Sequence, residues 1–139
     1  MSERPRHITR LLLTLGPLVL ALTGCGGAGE RGAEASAAAA AFEQVLADRD
    51  RTALCAALAP ETRGEVENSE KKPCVDAIGA QDIPAGGAVR SVDVYGRQAR
   101  AVLASDTLFL SQFPDGWKVV AAGCQPRPDR PYQCTVKGG

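Results

Sequence analysis

Cysteines, carboxylates and tyrosines are the side chains through which this chain could do chemistry, because its one histidine, His7, sits near the start. Without a later imidazole, the rest of the chain lacks the usual near-neutral proton carrier and every Cys-His or Ser-His pairing. The five cysteines are Cys25, Cys55, Cys74, Cys124 and Cys134, and no two of them stand in Cys-x-x-Cys spacing. A metal-ligand set is therefore not expected, nor any other cofactor. What is left to the thiols is acylation or disulfide formation, and the surroundings of each cysteine decide between the two.

Arg4, Arg6, His7 and Arg10 precede an apolar run over residues 11–22 (LLLTLGPLVLAL). A charged stretch followed by a short apolar one is the pattern of an export signal. The run falls short of the about 20 residues that a membrane-spanning helix needs. At its end, Leu22-Thr23-Gly24-Cys25 resembles the lipobox of bacterial lipoproteins. The resemblance implies a signal peptide over residues 1–24, cleavage before Cys25, diacylglycerol on its thiol and an acyl chain on the new amino terminus. Such a protein is held by lipid on the extracytoplasmic face of a cell membrane. The residue types suit that chemistry, since small side chains enter a protease cleft and a thiolate is the nucleophile that accepts lipid. Several acyl chains together make the attachment durable, where one alone binds reversibly. No Arg-Arg pair precedes the run, which points to the general secretory route.

Residues 25–139 carry 13 basic and 15 acidic side chains, with no Lys/Arg-rich stripe. Nucleic acids are bound through clustered cations, so that partner class is set aside. The remaining cysteines, Cys55, Cys74, Cys124 and Cys134, are even in number in a chain read as exported, where thiols oxidise. They allow three connectivities. The local one is expected, because Cys55–Cys74 would tie two helices across a polar loop and Cys124–Cys134 would close the tail over residues 125–133 (QPRPDRPYQ). With only 4% aromatic residues, the core is built largely from small side chains, and such a domain gains from covalent staples.

The elements that must position these groups follow from periodicity. Residues 26–32 (GGAGERG) read as a flexible tether. From residue 33 an alanine-rich run leads to Phe42, Val45 and Leu46 at helical spacing, a helix ending near Asp48. Asp50 can cap a second helix, with Ala53, Leu54, Ala57 and Leu58 inward, which Pro60 stops. Residues 61–72 (ETRGEVENSEKK) read as a helical turn and then a loop. Their glutamates alternate with Arg63, Lys71 and Lys72, the mark of a solvated face rather than a cation site. Pro73 opens a short helix that Gly79 ends. Beyond residues 84–87 the period changes to two, and strands are expected over residues 88–95, 98–104, 107–113 and 117–122. The third of these puts Thr107, Phe109, Ser111 and Phe113 on one face. The class is α+β, with N-terminal helices packed on an antiparallel four-stranded meander.

This order of elements, ending in Asp115-Gly116-Trp117-Lys118-Val119, is similar to the NTF2-like (cystatin-like cone) superfamily over residues 33–122. The resemblance implies a curved sheet wrapped on a long helix. It would admit a small apolar ligand between Phe109, Phe113, Trp117 and the first helix. Some members of the superfamily do chemistry with Asp and Tyr inside the cone, which here would fall on Asp93, Tyr95 and Asp106. Their local setting suggests less, since Asp93 and Tyr95 alternate with Val92 and Val94 and Asp106 sits at a turn, where Asp is favoured. A non-catalytic binding or interaction module is expected, with the apolar-ligand cone and a carboxylate-tyrosine enzyme as alternatives. In the tail, Pro126, Pro128 and Pro131 keep the backbone extended, and Arg127, Arg130 and Tyr132 are the candidate contacts for an envelope protein. The same tail could instead cover a sheet edge.

Overall fold

A computed structural model describes residues 27–138 of the chain. The export signal expected over residues 1–24 and Cys25, the expected lipid acceptor, lie outside the described residues. Those described form four α-helices and a 3-10 turn, then a five-stranded antiparallel sheet and a two-stranded hairpin, an α+β arrangement. No helix among them is long and apolar enough to cross a membrane.

Helix α1 spans Gly27–Ala47 and buries Ala35, Ala39 and Phe42. These positions recur at helical spacing and form one face. The helix begins upstream of residue 33, so residues 27–32 are helical rather than the flexible tether expected from their glycines. Gly32 continues the small-residue face onto the sheet: a Cβ there would lie 4.0 Å from Cγ2 of Val94. Packing of this face offsets the poor helix propensity of glycine.

Helix α2 (Arg51–Ala57) starts at Asp50, whose carboxylate accepts from the Ala53 N–H at 2.9 Å. Leu58 then turns extended and forms a single parallel bridge to Val119. Pro60 ends this stretch and also opens α3 (Pro60–Glu70), at a position where its missing N–H costs nothing. The turn and loop expected over residues 61–72 are thus mostly a helix of 11 residues. Its buried side is only Thr62 and Val66, and the Thr62 hydroxyl donates to the Val120 carbonyl at 2.9 Å. Lys71 closes the helix in the left-handed conformation, its N–H reaching Glu67 O. Helix α4 (Cys74–Ala77) follows Pro73, and Cys55–Cys74 joins it to α2 with the Cα atoms 6.0 Å apart.

The sheet runs β1 (Val89–Tyr95), β2 (Gln98–Leu103), β3 (Thr107–Phe113), β4 (Gly116–Ala122) and, beyond a hairpin of β5 (Gln125–Arg127) and β6 (Arg130–Gln133), β7 (Val136–Lys137). Its order is β1-β2-β3-β4-β7. The four long strands match the expected meander within a residue or so at their ends; β7 and the hairpin were not expected as strands. Ala99, Ala101, Leu103, Leu108, Leu110, Trp117 and Val119 face the helices and share one core with Phe42, Leu54, Leu58 and Val66. Between β3 and β4 the register steps from Leu110↔Val119 to Phe109↔Ala121, which leaves Val120 as an extra residue. Past this bulge the alternation inverts, so Ala122 joins the core.

Candidate functional site

The face of the sheet turned away from the helices gathers most of the residues that the sequence singled out. Arg100 on β2 stands opposite Asp93 on β1 and opposite Phe109 on β3. Cross-strand partners share a face, so the three form a row. Arg100 Nη2 donates to Asp93 Oδ2 at 2.7 Å. That hydrogen bond raises the guanidinium pKa further, with smaller contributions from the sites of Tyr132 and Tyr95. Arg100 therefore stays charged in this setting. Tyr95, at the end of β1, is 66% exposed.

The tail closes over this row. Pro128 and Asp129 make a two-residue turn between β5 and β6, with Asp129 at φ 53° where a left-handed residue is needed. Cys124–Cys134 links the base of the hairpin. Tyr132 is half-buried, and its ring meets Phe109 edge-on, with centroids 5.1 Å apart and planes at 78°. Such a geometry suits the quadrupoles of both rings. Arg127 and Arg130 are exposed and directly paired across the hairpin. Arg127 Nε donates to the Pro131 carbonyl at 3.1 Å, which fixes its stem. Like charges in that relation oppose strand pairing, so the pair does not serve the hairpin's own stability.

The three residues on which cone chemistry would fall are not brought together. Tyr95 lies at the β1–β2 turn and Asp106 at the β2–β3 turn, at opposite ends of β2. Asp106 is only 5% exposed, and its oxygens accept from the N–H groups of Thr107 at 2.6 Å and Gly123 at 3.0 Å. It braces the start of β3 against the end of β4. Asp93 is engaged by Arg100. Nor do Phe109, Phe113 and Trp117 line one cavity with α1, because the sheet separates them. Phe109 faces the hairpin, Trp117 faces the core, and Phe113 borders a shallow cleft of about 190 Å³ with Leu58, Pro60 and Lys118.

Sequence reasoning passed over Glu43. From α1 its Oε2 accepts from the N–H groups of Gly86 at 2.7 Å and Gly87 at 3.1 Å, and its buried Oε1 has no partner among the described residues. Desolvation raises its pKa above 4.5, against the lowering effect of the two backbone hydrogen bonds, and the nearby Asp106 charge adds to the rise. Gly86 must be glycine here, since a Cβ would lie 2.7 Å from Cβ of Asp106. The only hint in the sequence was the paired glycine after Pro84. Comparison with protein-family models, with curated proteins and with solved structures gives no match, so these residues themselves carry the functional argument.

Proposed function

We propose that this chain is an envelope lipoprotein, cut before Cys25 and anchored by lipid on that cysteine, whose domain is a non-catalytic interaction module for an acidic surface of another envelope protein. The observation that carries the reading is the hairpin. Two exposed arginines stand side by side at its tip, against their mutual repulsion, on a loop closed by Cys124–Cys134 and braced on the sheet by Tyr132 against Phe109. A rigid loop loses little conformational freedom on binding, and arginine and tyrosine are the residue types that dominate binding energy at protein interfaces. The lipobox supports the address, and two disulfides suit an oxidising compartment. The NTF2-like reading belongs with this proposal. It is supported by the order of elements and by the Leu58 bridge to Val119, which falls between helices where the cone's first strand often lies.

Two measurements test it. Fatty-acid labelling should mark the protein and be lost in Cys25→Ser, with the variant released from membranes or held as uncleaved precursor; labelling that survives the substitution places the anchor elsewhere. Co-purification from detergent-solubilised membranes should recover a discrete partner that Arg127→Ala/Arg130→Ala no longer captures. Equal capture by that variant removes the hairpin from recognition.

A further inference from the structure

A second site stands at the C-terminal end of α1. There a cleft of about 530 Å³ opens between the end of α1, the start of α2 and the segment after α4. Its volume lies within the range of about 300–1,000 Å³ typical of small-ligand sites. The lining is divided in character: Leu46, Leu54 and Ile83 are apolar, whereas Arg49, Arg51 and Asp82 are charged. No salt bridge within 4.0 Å neutralises either arginine among the described residues, and neither side chain donates a hydrogen bond there.

Arg49 and Arg51 are both exposed, but the Arg51 guanidinium has a definite seat. A Cβ added to Gly79 would lie 2.8 Å from Cζ and Nη2 of Arg51 and 3.1 Å from its Nε. Three guanidinium atoms at nearly equal distance mean that the group lies flat on the Gly79 backbone, with its N–H edges free. Arg51 is also the first residue of α2, where a cation opposes the helix dipole, so helix stability does not account for it. Arg49 adopts φ 57° just after α1, a conformation that glycine enters far more readily, yet the residue is arginine. Asp82 shares the left-handed conformation, at φ 48°.

We infer that this cleft binds a small amphiphilic anion, its head between Arg49 and Arg51 and its short apolar tail over Leu46, Leu54 and Ile83. Guanidinium groups bind carboxylate and phosphate alike through paired N–H donors, so the shared feature is an anionic head on an alkyl chain. Asp82 then sets the affinity by partial repulsion.

Isothermal titration of the full chain in zwitterionic nanodiscs, with hexanoate, hexyl phosphate and hexanol as probes and empty nanodiscs as the blank, tests this. At least one anion should bind saturably while hexanol does not, and which anion binds more tightly identifies the head group. Arg49→Ala or Arg51→Ala should weaken binding by roughly tenfold or more, as for the loss of a charge-assisted contact. Asp82→Asn, in which asparagine tolerates the same backbone, should tighten it several-fold. Saturable binding of hexanol equal to that of the anions, no saturable heat with either anion, or affinity indifferent to both arginine substitutions and to Asp82→Asn overturns the inference.

Discussion

Asp106→Ala should cost the fold about 3–5 kcal/mol, because the carboxylate is a buried brace. Each of its oxygens accepts one backbone hydrogen bond, from Thr107 and from Gly123, and a bond to a charged acceptor contributes roughly 1.5–3 kcal/mol. The bond to Thr107 is the lesser, since it joins sequence neighbours. Removal of the side chain also leaves both N–H groups in a site that is 5% exposed, where water meets them poorly. A small gain offsets this, because Glu43 loses a like-charged neighbour. Asp106→Asn keeps one acceptor but turns an amide N–H towards the other donor, and should cost about 2 kcal/mol. Trp117 is the single tryptophan and is buried, so its fluorescence reports urea unfolding directly. With an m-value of about 1–2 kcal/mol per molar, the midpoint of the alanine variant should fall by about 1.5–5 M. A change within about 0.5 kcal/mol, the usual size for a surface site, would refute the brace. Equal losses for alanine and asparagine would show that the acceptor oxygens are not what matters.

Other contacts lead to further measurable outcomes. Cys55→Ala/Cys74→Ala opens a loop with a sequence separation of 19, and chain entropy sets the loss at about 3 kcal/mol; urea midpoints that agree with the parent's would overturn it. Tyr132→Ala should lower stability by about 1 kcal/mol through the Phe109 contact, whereas Arg127→Ala and Arg130→Ala should each stay within about 0.5 kcal/mol; thermal unfolding separates them. The raised pKa of Glu43 means that the folded state holds its proton to higher pH than the unfolded chain. Stability should therefore fall as pH rises from 4.5 through the folded value and level off above it, a slope that Glu43→Gln abolishes; unfolding midpoints across that window give the answer.

How much of this was legible in the sequence depended on whether local pattern or distant contact decided the outcome. The strand ends were plain because each turn carries its own signal, as at Gly96-Arg97 and Pro114-Asp115-Gly116. The local disulfides were legible because each closes a short loop. Helix α3 was not, because it buries only Thr62 and Val66 among charged neighbours, and a two-residue apolar side gives no helical period to read. The first turns of α1 were hidden by their glycines, of which Gly32 packs towards Val94, far along the chain. The Arg49 and Arg51 cleft was invisible for the same reason: Asp82 and Ile83 reach it only after two intervening helices.

The aromatic cone failed on the pairing of β3 with β4: Trp117 stands opposite Gln112, hence on the face that Phe109 turns away from, and an irregularity further along then alters only the end of β4. Strict alternation makes Trp117 and Ala121 face the same way and leaves Ala122 opposite, but Val120 is extra. With it, Ala121 turns to the face that Phe109 shares with the hairpin, and Ala122 returns to the core that Trp117 and Val119, ahead of the bulge, already share. The bulge also exposes the Val120 carbonyl to groups from outside the ladder. That oxygen accepts from the Thr62 hydroxyl and from the Gly138 N–H, both at 2.9 Å, so it holds α3 and the end of the tail to the same point of β4. Gly138 fits there because a Cβ would lie 3.0 Å from the Thr62 hydroxyl. The inversion at the end of β4 is thus also what seats α3 and β7. It holds the tail across β4 and so fixes where a hairpin closed by Cys124–Cys134 can lie, with Tyr132 over Phe109 and its two arginines outward.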